Sequence, residues 1–452
     1  MQSLIRNETL DTSTLQILPV LLWYELFMEA STQRKTKMIE ALVADWPDSY
    51  LPVRLLMRNP NLEIYQAILA GVDTWLPRRL YPRQNLQEVD LRNVQAGRDD
   101  GDRSTETLPE QQVAAGLPQH TLRRRLEIFT ALHLPPDEYQ TMFLEWAEKR
   151  KSSVHLCCVK LRIGTVSGYS VKKVFKLLQP ESIQELELNT VCNLYTLASF
   201  VPFISKMSNL HKIMLVRVFK GRTATDRDEK YVPKIISLFS KLSCLKHVTI
   251  DDVYFLNEHM KQLLGCLKNP LESLSISLCK LSQSDLESFA QWGYRQLKHL
   301  YFRSVDLCDL DFRPLKVFLE NVAGTLLTLE LEDCRMKDPD LRVLLPSLSQ
   351  CSLLTSINLY DNEISTNALK ELLYHTANLS QLTKELYPAP KEVYDRYGYI
   401  IVEEFSQCCA ELKDAHVTVR QLRSVCFGSN PCYDCGQRYV YGLQTTLCDC
   451  SL

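Results

Sequence analysis

Val248-x-Ile250-x-x-Val253, Leu274-x-Ile276-x-x-Cys279-x-Leu281, Leu300-x-Phe302-x-x-Val305-x-Leu307, Leu329-x-Leu331-x-x-Cys334-x-Met336 and Ile357-x-Leu359-x-x-Asn362-x-Ile364 are five copies of one pattern. Their register starts at Leu245, Leu271, Leu297, Leu326, Leu354 and Leu379, at intervals of 25 to 29 residues. Two apolar residues two apart place both side chains on one face of a short strand, and the next apolar residue turns back beneath it. Between copies the period becomes helical, as in Leu341, Leu344, Leu345 and Leu348 after Asp340, and in Ala368, Leu369, Leu372 and Leu373. Strand, loop and helix at this period are leucine-rich repeats. The expected fold is therefore an α/β leucine-rich-repeat solenoid: a horseshoe with parallel strands on the concave face, helices outside and an N-terminal helical cap. At the sixth position Asn362 can satisfy turn amides, Cys279 and Cys334 can do so weakly, and Val253 and Val305 cannot, so the solenoid should be irregular.

Weaker copies lie upstream at Leu186-x-Leu188-x-x-Val191, Ile213-x-Leu215-x-x-Val218, Val154-x-Leu156-x-x-Val159 and Val89-x-Leu91, which sets the solenoid at residues 86–427. Residues 94–118 are polar, charged and free of aromatics, the composition of a mobile insert. Residues 219–230 read as a second, shorter excursion. Residues 1–85 show no strand repeat and read as helices, Leu10 to Ala30, Thr36 to Trp46 and Leu62 to Leu76, broken by Pro47, Pro52 and Pro60. They form a helical adaptor or cap segment, and residues 428–452 are a Cys-rich tail.

The 452 residues are 45% apolar and 23% charged, with a formal net charge of −2, so no broad basic field is available for direct nucleic-acid or membrane-surface binding. Arg6, Glu8 and Asp11 precede the apolar stretch Leu15 to Phe27, unlike a secretory signal, and Glu25 and Glu29 interrupt it as a membrane span. Twelve of the sixteen cysteines are scattered through strand-like and helical segments and read as reduced core residues of a cytoplasmic protein, with nuclear residence also open. The remaining Cys432, Cys435, Cys448 and Cys450 have the spacing of a structural zinc knuckle, with metal-free thiols as the alternative; no other cofactor is required.

No phosphate-binding Gly loop, H-E-x-x-H helix or G-x-S-x-G elbow occurs, which points away from an enzyme. Glu330 and Glu332 alternate away from the core and are candidates for partner contact on the concave face. Arg123-Arg124-Arg125-Leu126 reads as a nuclear-import run or as a solvated helix face.

Leu18-Pro19-Val20-Leu21-Leu22 through Leu26-Phe27-Met28, Trp46-Pro47, Leu51-Pro52, Leu56-Met57, Leu156 to Leu161, Asn269 to Ile276, Leu344 to Ser349 with Cys351, and Asn430-Pro431-Cys432-x-x-Cys435-Gly436 closing in Cys448-x-Cys450 together resemble the PRAME family. The N-terminus and length are most similar to its oogenesin-like germline members. The resemblance implies a substrate receptor of cullin-2 ubiquitin ligases that binds elongins B and C through an N-terminal helix and an unidentified protein target through the solenoid. Leu18-Pro19-x-x-Leu22-x-x-x-Leu26 satisfies the cullin-2 box, which the residues themselves explain as a proline-started helix with leucines four apart. The elongin box is matched at Ser3-Leu4, although Glu8 stands where a cysteine is asked for, and in another frame at Thr9-Leu10. The family is also linked to repression of nuclear-receptor signalling through Leu-x-x-Leu-Leu, present here at Leu18 to Leu22, Leu341 to Leu345 and Leu369 to Leu373. In the last two the leucines are expected to pack under the strands. The function expected is thus a substrate-recognition adaptor. The alternatives are a transcriptional co-repressor regulating differentiation, proliferation and apoptosis by protein binding alone, and an inhibitor-type solenoid that blocks its partner's active surface.

Overall fold

The apolar pairs that set the repeat do lie in or directly beside parallel strands: Val248 and Ile250, Leu274 and Ile276, Leu300 and Phe302, Leu329 and Leu331, and Ile357 and Leu359 are each at most 2% exposed. A computed structural model describes residues 18–57, 61–78, 86–92, 125–192, 194–219, 229–293, 296–417, 424–432 and 435–442. It falls into two units, Met1–Ile183 and Gln184–Leu452.

In the first unit, helices Val20–Thr32, Thr36–Ala44 and Leu62–Trp75 appear where the periodicity asked for them. The first of them packs on Trp46, whose ring meets Trp23, Tyr24 and Phe27 edge-on at centroid distances of 6.3, 5.3 and 6.0 Å. Its Nε1 donates to the Tyr50 carbonyl at 3.0 Å. The second and third helices approach so closely that a Cβ on Gly71 would stand 2.6 Å from Val43 Cβ.

Four parallel strands follow, β1 (Tyr50–Pro52), β2 (Glu88–Asp90), β3 (Leu126–Leu134) and β4 (Val154–Ile163), each pairing with the next. The strand ladder therefore begins at residue 50 and not near 86, and the N-terminal region is not helical throughout. β1 is held to β2 by Tyr50 Oη donating to Asp90 at 2.8 Å, while Arg92 grips the same carboxylate at 2.9 and 2.7 Å. Burial pushes the Asp90 carboxyl up, but the Arg92 and Tyr50 hydrogen bonds outweigh it and hold it below the usual range. Arg125 precedes a strand, so the helix face expected for the basic run is corrected: Leu126, Ile128, Leu132 and Leu134 alternate inward at period two. The insert at residues 94–118 lies outside the described residues, as does most of the excursion at 219–230.

The second unit is the repeat array. Strands β5 (Glu185–Cys192), β6 (Lys212–Val218), β7 (His247–Val253), β8 (Ser273–Ser277), β9 (His299–Arg303), β10 (Thr328–Glu332), β11 (Ser356–Asn358), β12 (Lys384–Pro388) and β13 (Ser424–Gly428) run parallel, in chain order. One residue near the end of each of six strands is left-handed: Arg217, Asp252, Leu278, Ser304, Asp333 and Asp361 have φ between 50° and 62°. Each directly precedes the turn position of its repeat. Leu278 is the costly case, since a Cβ strains this conformation and its side chain is 60% exposed. Leu278→Asn is expected to raise stability by roughly 0.5 to 1 kcal/mol. A higher urea midpoint at unchanged slope would show it.

The turn positions behave according to their chemistry. Asn362 accepts from the amides of Cys334 and Met336 at 3.2 and 3.0 Å and donates to the carbonyls of Leu331 and Leu359 at 2.6 and 2.9 Å. Cys334 and Cys279 offer only sulfur contacts, 3.6 Å to the Phe302 carbonyl and 3.9 Å to that of Val253. Burial pushes the Cys158 and Cys334 thiols up to about 12, so both stay neutral. A second inter-repeat tie centres on Asp285, 1% exposed, which accepts from the amides of Glu258, Met260 and Ser282 at 2.8, 3.0 and 2.9 Å and from Ser282 Oγ at 2.8 Å.

Beyond β13 part of the Cys-rich tail is built into the sheet. β14 (Val440–Tyr441) pairs antiparallel with β13, Tyr439 and Ser429 are buried, and Arg438 pairs with Asp361 and, at 3.5 Å, with Glu332. No described helix is long and apolar enough to cross a membrane.

Candidate protein-binding surfaces

Because Leu274 and Ile276 point into the core, Ser273, Ser275 and Ser277 must point out, and the same alternation runs through β6, β7, β9 and β10. Across the ladder Ser273 is in register with His247 and His299, Ser275 with Thr249 and Tyr301, and Ser277 with Asp251 and Arg303. Three short hydroxyls thus form a low strip between two taller rows. Tyr301 stacks beside the Arg303 guanidinium, 5.7 Å from the ring centre, and Arg303 pairs with Glu330 at 2.6 Å. Glu330 and Glu332 stand on this face as the alternation required, but they are paired and not free: Arg303 and Arg438 take up much of their charge.

Along one rim Lys298 and Lys246 flank Glu272 at 2.8 and 2.9 Å and hold its carboxyl down to about 2. Burial lowers the His247 and His299 imidazoles below their usual value. Both are then neutral near pH 7 and act as hydrogen-bonding, stacking surfaces. A wall of hydroxyls, imidazoles, one aromatic and balanced ion pairs is suited to reading a protein surface.

The N-terminal segment carries the other candidate surface. The helix starts at Val20, with Pro19 as its flanking residue. Leu26 is buried with Trp23 and Phe27, and Leu18 and Leu22 are half-buried. The side chains left in solvent are Leu21, 73% exposed, and Val20, 44% exposed. The leucine stripe therefore turns inward along the helix, and its first turn presents a different apolar pair, which four-residue spacing could not reveal. Ser3, Leu4 and Leu10 lie outside the described residues. Of the three Leu-x-x-Leu-Leu motifs, those at 341–345 and 369–373 are core, with every leucine at most 5% exposed, as expected.

At the C-terminal turn the Cys432 amide donates to the Gln437 carbonyl at 2.7 Å, the Gly436 amide to the Cys432 carbonyl at 2.9 Å, and the Gln437 amide reaches Cys435 Sγ at 3.5 Å. Gly436 takes φ 71°, which favours glycine. Cys448 and Cys450, the other half of the expected zinc knuckle, lie outside the described residues. Among the described residues no three His, Cys, Asp or Glu side chains gather to hold a metal, so the zinc expectation gains no support.

The chain resembles known proteins along its whole length. It is 53% identical to preferentially expressed antigen in melanoma-like protein 7 of Mus musculus, covering 99% of this chain and 97% of that one. Oogenesin-3 of Mus musculus is 38% identical, over 98% of this chain and 91% of its own. PRAME family member 12 of Homo sapiens is also 38% identical, over 99% and 95%. A solved internalin of Listeria monocytogenes overlays with a TM-score of 0.28 at 14% identity, covering 57% of this chain and 71% of its own, and adds nothing to the repeat geometry above. The PRAME N-terminal domain model matches residues 1–98 and the PRAME C-terminal domain model residues 126–450. With the helical segment and the repeats each matched by that family's own pattern, the chain belongs to the PRAME family.

Proposed function

We propose that this protein is the substrate-recognition adaptor of a cullin-2 RING ubiquitin ligase, binding elongin B/C through its N-terminal helix and a protein target on the strand wall of the second unit. In this reading it works in the cytoplasm and supplies no catalytic group of its own. The observation that carries the reading is the first turn of the helix Val20–Thr32: Val20 and Leu21 stay in solvent while Trp23, Leu26 and Phe27 fix the rest of the helix to its own unit. An apolar pair on a rigidly held helix end is the kind of anchor that a groove on a partner accepts.

Leu21→Asp should leave the melting temperature unchanged, since the side chain is solvated, and lower elongin B/C recovery from a pull-down roughly tenfold or more. If the intact chain retains no elongin, the adaptor reading is abandoned. The alternative of a transcriptional co-repressor draws on the same helix, because Leu18 to Leu22 is the one Leu-x-x-Leu-Leu of the three with an exposed leucine. That role would appear as recovery of nuclear factors without elongin or cullin-2.

A further inference from the structure

In the first unit a cavity of about 440 Å³ opens beside the starts of β3 and β4. Four basic side chains line it, and they come from four separate places in the chain. Arg125 stands just before β3, His155 is the second residue of β4, Lys151 sits in the turn after the helix Glu138–Glu148, and Lys176 caps the end of the helix Gly168–Phe175. Among the described residues no acidic side chain lines the cavity. Glu127 pairs with His155 across the ladder, yet it does not reach the lining. Arg125 Nη1 lies 3.1 Å from His155 Nε2, a contact that leaves its charge uncompensated. Neither Lys151 nor Lys176 forms an ion pair with a described residue, and both are exposed.

The floor is apolar and ordered. Leu156 and Leu178 bridge as a short parallel pair, and the Gln179 amide points at the Leu156 carbonyl at 3.5 Å. Val154, Ala147 and Leu177 complete it. Like charges converging on a site without a counter-ion repel one another, and that cost is removed when an anion enters.

We propose that this cavity binds a phosphorylated serine or threonine side chain of a protein segment. A phosphate monoester carries close to two negative charges and three acceptor oxygens, which suits several convergent donors better than a single carboxylate does. The apolar floor is suited to the residue next to the phosphorylated one, and a free phosphate has no use for it. A nucleic-acid strand would need a basic track continuing along the surface, and the chain carries a formal net charge of −2. The site is independent of the adaptor reading, and its test uses neither elongin nor cullin.

One structural role competes. Cations near helix C-termini offset the helix dipole, and Lys151 and Lys176 both follow helix ends. Arg125 and His155 sit at strand starts and have no such role.

The experiment uses the full chain and a fluorescein-labelled pool of degenerate peptides with a central phosphoserine followed by leucine, beside the same pool with serine. Fluorescence anisotropy should show the phosphorylated pool bound roughly tenfold or more tightly, with an affinity that falls as salt rises. Lys151→Glu with Lys176→Glu should abolish that preference at an unchanged melting temperature, and Lys151→Arg with Lys176→Arg should retain it. Equal binding of the two pools, or a preference that survives the double glutamate variant, overturns the proposal. So does a double glutamate variant that melts lower while binding as before, which would leave only the dipole role. Displacement of the pool by inorganic phosphate or by a single-stranded RNA at concentrations matching the peptide would also overturn it.

Discussion

Asp285→Ala is expected to lower the unfolding free energy by about 4 kcal/mol. The carboxylate is 1% exposed and accepts from the amides of Glu258, Met260 and Ser282 and from Ser282 Oγ. Two of those amides belong to the preceding repeat, at the start of the helix Met260–Cys266, whose own flanking residue His259 supplies no side-chain cap. One side chain therefore caps its own helix and the neighbour's. Alanine would leave three amides without acceptors, each costing about 1 to 3 kcal/mol where water cannot reach, partly offset because a charge no longer has to be buried. Asp285→Asn keeps one oxygen but turns an NH₂ toward donors, and should fall about midway. Guanidinium unfolding of the three proteins would check the order. An alanine variant within about 1 kcal/mol of the parent would mean that solvent already satisfies these amides.

Trp46→Ala should cost about 3 to 5 kcal/mol, the range for emptying a buried aromatic site. The ring is 1% exposed, Trp23, Tyr24 and Phe27 meet it edge-on, and its Nε1 satisfies the Tyr50 carbonyl at the first residue of β1. Its loss would loosen both the helix Val20–Thr32 and the first strand. Hydrogen exchange of the amides between Val20 and Thr32 should accelerate by roughly two or more powers of ten if opening of this helix follows that loss of stability. Trp46→Phe retains most of the packing and should recover more than half of the deficit. If the adaptor proposal holds, elongin recovery falls with Trp46→Ala as well, because an anchor on an unfixed helix must be ordered at the moment of binding.

What the sequence revealed and what it withheld divide along a physical line. Pairs such as Leu274 and Ile276 were legible because period two and period 3.6 are one-dimensional records of which face meets the core. β1 was not, because Tyr50-Leu51-Pro52 is too short to show a period and is recognisable only by its pairing with Glu88 to Asp90. β3 is obscured for another reason: its basic lead-in at Arg125 has the composition of a solvated helix face, which masks the alternation that follows. Ser282-x-x-Asp285 has the spacing of a capping box, yet nothing in it announces that the carboxylate also reaches back across the repeat boundary. The cationic cavity joins residues as far apart as Arg125 and Lys176, and such convergence exists only after folding. At the N-terminal helix the spacing joins Leu18, Leu22 and Leu26, while the exposure falls on Leu21, which no four-residue period marks.

The two-residue strand Val440–Tyr441 reverses direction against the last parallel strand, meeting Phe427 and Gly428. Stacked units of this kind can in principle polymerise, because an uncovered final edge offers the same amides to a second molecule that each strand offers to the next. A short reversed ribbon locked by Arg438 to Asp361 takes up the end of that template, at Phe427 and Gly428, with the chain's own backbone. The close of the parallel ladder is thus entrusted to a few residues that take no part in the leucine pattern.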